Sequence, residues 1–154
     1  MESTRELVDL IRNNPDESAF TGGLSEDDIA RAETELSATF PPSYRLFLAE
    51  LGSCEAGGTE LLGLYRSPAC GGRLLGTVSE TLAARNDERF PRDLLVIEYD
   101  GMGGLVSLDS AQRNEAAEYP VVVWDPGSEA RGGPERLEED FGTYALRRCR
   151  AGLR

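Results

Sequence analysis

The sequence predicts an α+β fold: a mostly antiparallel sheet of about five or six strands with helices packed on one face. Three observations lead there. Helical signals crowd the first 52 residues, strand signals fill the middle, and one amphipathic stretch closes the chain. That order suits helices segregated to one side of an antiparallel sheet, not alternating strand and helix units. At 154 residues, one domain over 1–154 is expected, with a helical opening over 1–52 and a sheet plus closing helix over 58–150.

The elements follow in order. Ser3-x-x-Glu6 reads as a capping box opening a helix over about Thr4–Arg12, with Leu7, Leu10 and Ile11 as its apolar stripe. Ser25 is a good N-cap for a helix over about Glu26–Ala38, whose first turn is filled by Glu26, Asp27 and Asp28. Pro41-Pro42 opens a third helix to about Leu51, with Tyr44, Phe47, Leu48 and Leu51 on one face and Gly52 as the stop. Glu60–Tyr65 reads as a strand after the Gly57-Gly58 turn, and Ser67–Gly72 as a loop. Leu74-Leu75 suggests a short strand, and Thr77-x-x-Glu80 caps a short helix to about Arg85. Leu94–Tyr99 and Gly104–Asp109 form a hairpin over Asp100-Gly101-Met102-Gly103, and Pro120–Asp125 is a further strand. The last helix is expected over about Glu135–Arg150, carrying Leu137, Phe141 and Tyr144 on one side.

Hairpin parity then suggests which sheet face is free. Joining Tyr99 to Gly104 sets Val96 opposite Ser107 and Glu98 opposite Leu105. One face then holds Val96, Glu98, Ser107 and Asp109, joined by Val123 and Asp125 of the next strand, with Asp100 at the turn. These seven residues are the candidate partner-binding set, because an open face mixing apolar and acidic side chains suits docking. Leu95, Ile97, Tyr99, Val106 and Leu108 are expected to lie under the helices, with Val122 and Trp124 turned inward.

Charge and composition exclude whole classes of function. There are 16 basic residues, all arginine, against 28 acidic ones, and the net charge is -12. Residues 1–60 carry 13 acids and 4 arginines. Such a chain is repelled by nucleic acid and by anionic membrane, and attracted to a basic protein. Without a signal-like or spanning apolar stretch, a cytoplasmic location is expected. Cys54, Cys70 and Cys149 have no disulfide or metal spacing. The absence of histidine and lysine removes histidine acid–base chemistry, Ser-His and Cys-His nucleophiles, Schiff-base lysines and the P-loop lysine. Carboxylate or oxygen-ligand metal chemistry at Glu98, Asp100, Asp109 or Asp125 stays open, though no catalytic residue, metal site or cofactor is expected.

The ordered segments resemble the SUKH superfamily (the Smi/Knr-type fold), in its bacterial YobK-like branch. The likeness runs from about residue 1 to 150. It is carried by Leu24-Ser25-Glu26-Asp27-Asp28-Ile29, Ala32-Glu33-x-x-Leu36, Phe40-Pro41-Pro42-Ser43-Tyr44-Arg45-x-Phe47-Leu48 and Leu51-Gly52. Leu61–Leu64, Leu95–Ile97 with Asp100-Gly101, Leu108-Asp109, Pro120–Asp125 and Asp140-Phe141 continue it. The resemblance implies a stoichiometric protein binder: an immunity protein that neutralises a cognate toxin domain, such as a basic nuclease. The alternative it leaves is a housekeeping interaction scaffold, like the fungal members that act in cell-wall regulation. No partner-binding residue carries over by motif.

Overall fold

Local signals explain most of the helices. The computed structural model describes residues 1–153; residue 154, the last of the expected domain, lies outside them. Helix α1 spans Glu2–Arg12, α2 Glu26–Leu36, α3 Pro42–Glu50, α4 Thr77–Ala84 and α5 Phe141–Gly152. Ser25 caps α2 as expected, its hydroxyl accepting the Asp28 N–H at 3.2 Å. Gly52 follows α3 with φ +78, where a Cβ would strike the Gly22 carbonyl, so only glycine fits. Two caps differ from expectation. Helix α1 begins at Glu2, so Ser3 lies inside it and caps nothing. At α4 the closing contact moves one residue, with Ser79 Oγ accepting the Gly76 N–H at 3.0 Å.

The strands are β1 (Ser18–Phe20), β2 (Cys54–Ala56), β3 (Thr59–Leu61), β4 (Leu64–Ser67), β5 (Arg73–Gly76), β6 (Leu94–Tyr99), β7 (Leu105–Asp109), β8 (Val121–Trp124) and β9 (Glu135–Glu138). Among the described residues they form three antiparallel sheets, ordered β1-β2-β3, β4-β5 and β6-β7-β8-β9. The α+β class holds, and the single sheet of five or six strands gives way to these three. A backbone hydrogen bond from Leu62 N to Ile97 O, 2.7 Å long, ties the end of β3 to β6. Strand β1 lies within the helical opening, in the polar segment between the first two helices where no strand is expected. The segment Glu135–Glu138, expected to begin the last helix, is instead the edge strand β9. Asp140 ends it and caps α5, accepting the Thr143 N–H at 2.8 Å.

The main core lies between the helices and the inner sheet faces. Phe40, Tyr44, Phe47 and Phe141 pack ring to ring at its centre, with centroids 4.9 to 5.8 Å apart. Each such ring buried stabilises the fold by roughly 2 kcal/mol. The Tyr44 hydroxyl cannot stay unpaired at this depth; it donates to Leu62 O at 2.8 Å and meets Thr77 Oγ1 at 2.6 Å. Helix α1 lies against α5 and α3, and α5 reaches β2, β3 and β9.

Candidate partner-binding surface

The four-stranded sheet is covered on both faces. Leu95, Ile97, Val106, Leu108 and Val121 enter the main core. Leu94, Val96, Val122 and Trp124 enter a second, smaller core with Leu62 and Phe90. The expected open face is therefore not open. Val96 and Ser107 are fully buried. Val123 pairs with Val106, so it lies toward the helices, on the face opposite Val96, and Val122 and Trp124 take the second core.

A β-bulge accounts for Glu98. Val96 pairs with Ser107 as expected, but Glu98 then pairs with Val106 and Tyr99 with Leu105, leaving Ile97 as the extra residue. Beyond a bulge the side-chain alternation is reset. Glu98 is carried under α5, only 3% exposed. There the Tyr144 hydroxyl donates to Glu98 Oε1 at 2.5 Å and Arg148 Nη2 donates to Oε2 at 2.6 Å. Burial, then the bond to Glu98, pushes the Tyr144 hydroxyl pKa up. The Arg148 guanidinium is raised chiefly by its hydrogen bond to Glu98. Tyr99, expected inside, is instead half exposed and donates to Glu80 of α4.

The remaining acids of the candidate set hold loops. Asp100 Oδ1 accepts the Met102 and Gly104 N–H groups at 2.7 and 2.8 Å, closing the hairpin turn. Asp109 accepts from Ala111 N at 3.0 Å and Gln112 Nε2 at 2.7 Å. Asp125 accepts the Gly127 N–H at 2.7 Å and pairs with Arg131. Asp109 pairs with Leu94 at the end of the sheet away from the hairpin turn, so these acids do not converge. Among the described residues, no three His, Cys, Asp or Glu side chains gather into a group able to hold a metal. The cysteines are free thiols; Cys54 and Cys149 are buried and Cys70 is exposed.

The open sheet face belongs to β1-β2-β3. Register puts Ala19, Glu55 and Glu60 side by side, and all three are exposed. Phe20, at the end of β1, is 45% exposed. A groove of about 270 Å³ runs here between Phe20, Tyr65 and the two glutamates. A second groove, about 370 Å³, lies on the other side of Glu60, lined by Tyr99, Asp100, Glu98 and Arg148. The hairpin tip beside it shows Met102, 88% exposed. Glu98 and Asp100 are thus the two candidates that border one groove. The strand expected over Glu60–Tyr65 divides into β3 and β4, and Glu55 and Phe20 lie in strands of three residues, which leave no periodicity to count. The Gly57-Gly58 turn expected before a strand also has one ahead of it, β2, so it closes a hairpin.

No described helix is long and apolar enough to cross a membrane. A family model described as SMI1-KNR4 cell-wall matches residues 4–148, nearly the whole chain. No curated protein matches it.

Proposed function

Because the chain belongs to the SUKH family of SMI1-KNR4 proteins, we propose that it is a stoichiometric protein binder that catalyses nothing. In this account it is one domain and a cytosolic immunity protein of the YobK-like bacterial branch. It captures and neutralises a basic toxin domain such as a nuclease. The observation that carries the proposal is acidity held on an uncovered sheet face. Glu55 and Glu60 lie side by side there, and neither forms an ion pair among the described residues. A nuclease surface is basic because its substrate is a polyanion, so an inhibitor of net charge -12 is steered onto the groove it must block. A binding role is further supported by the candidate catalytic acids, since Glu98, Asp100, Asp109 and Asp125 are each engaged in holding structure.

The test is co-expression with the toxin domain encoded beside this gene. The expected result is an equimolar complex and survival of cells that the toxin alone kills. Continued killing with no complex would refute immunity and leave the scaffold role as the better account.

A further inference from the structure

The groove on the three-stranded sheet combines features that suit one kind of side chain. Its lining includes Tyr65 and Ala19, and its rim carries the carboxylates of Glu55 and Glu60. Those carboxylates are direct cross-strand neighbours, and like charges so placed repel. Glu55 Oε1 is partly occupied by the Gly58 N–H at 2.6 Å. Oε2 of Glu55 and both oxygens of Glu60 receive no hydrogen bond from the described residues. An apolar side chain filling the groove leaves the repulsion in place. A cation with a long apolar stem removes it while lying along Tyr65. Arginine fits better than lysine, because a planar guanidinium presents five donors and spans two carboxylates.

We propose that this groove seats an arginine side chain of the protein partner, stem against Tyr65 and guanidinium between Glu55 and Glu60. This deepens the proposed function by naming the contact chemistry, and it rests on the chain being a protein binder.

The test titrates a blocked Gly-Arg-Gly peptide into isotope-labelled protein and follows backbone amide shifts. Blocked Gly-citrulline-Gly is the neutral isostere, and Gly-Lys-Gly the point-charge control. Saturable shifts are expected at Ala19, Phe20, Glu55 and Glu60 with arginine, weaker ones with lysine and none with citrulline. The double variant Glu55→Gln/Glu60→Gln should weaken arginine binding about fivefold, the range of an exposed charge pair. Its melting temperature, at or above that of the unaltered protein, establishes that it is folded. Equal shifts with citrulline overturn the proposal. So do lysine binding as tight as arginine, shifts spread equally over the α2 acids, or an unaffected double variant. The probe needs no toxin. A flat titration with cell rescue intact therefore removes the arginine groove alone, and failed rescue with an intact titration removes toxin neutralisation alone.

Discussion

Glu55 and Glu60 face each other directly across β2 and β3, both in solvent, and neither has an ion-pair partner among the described residues. Sheet stability alone would favour opposite charges or β-branched side chains at such a pair. Elsewhere the chain does pair its acids, as in Arg45 with Glu33 at 2.7 Å and Arg150 with Glu6 at 2.8 Å. Repulsion left standing on an open face costs the free protein stability.

Glu60→Gln is therefore expected to stabilise the isolated protein, by roughly 0.5 kcal/mol in urea unfolding. The same change is expected to weaken partner binding. A variant that loses stability would place Glu60 in a structural role instead.

Glu118 supplies a cap that helix α3 cannot make for itself. The N-cap of α3 is Pro41, which offers no side-chain acceptor. Glu118, 75 residues further along the chain, accepts the Ser43 N–H at 2.9 Å and the Ser43 hydroxyl at 2.6 Å, all buried. Glu118→Ala strands both donors and should cost about 3 kcal/mol. Glu118→Gln keeps one acceptor and should cost less. Urea midpoints for the pair check the order.

Glu98→Ala should lower stability by about 2 kcal/mol. The figure is held down because the Arg148 side chain is 40% exposed and regains water. A double-mutant cycle with Tyr144→Phe should show coupling, since both act through one hydrogen bond. Affinity of the folded variant for its partner is expected to stay unchanged, and a loss there would return Glu98 to the binding surface.

Alkaline pH should weaken the fold through its tyrosines. Tyr144 is raised by burial and by the Glu98 carboxylate, and Tyr99 is pushed up to about 12 by partial burial and by Glu80. Both bind their protons more tightly folded than unfolded. Their contribution is complete below the ordinary value of 10.0 and is lost as pH rises through the folded values. Unfolding free energy should fall above pH 10, and Tyr144→Phe should flatten that fall. Equal slopes in the two proteins would contradict the assignment.

The helices were legible because their signals are local. Ser25 before three acids and the Tyr44, Phe47, Leu48 spacing each sit within a few turns of chain. The misreading of Glu135–Glu138 has a specific cause. Leu137 stands four residues before Phe141 and seven before Tyr144, so it fits the helical face it was given. What overrides that phase is pairing with Val121, Val122 and Val123, a contact that sequence spacing does not encode. The same holds for the bulge at Ile97. One unpaired residue reverses the facing of Glu98 and Tyr99, and no residue type near it marks the insertion. The exposed sheet face lies on β1-β2-β3, of which β1 and β2 are three residues long and leave no alternation to count.

The most direct measurement is the association rate of the chain with the basic toxin domain that the proposed function assigns to it, at low and high salt, for the unaltered protein and for Glu55→Gln/Glu60→Gln. The account predicts an equimolar complex whose association slows by about tenfold as salt rises, and by much less in the double variant. An association rate indifferent to salt, or one that the double variant leaves unchanged, would contradict it.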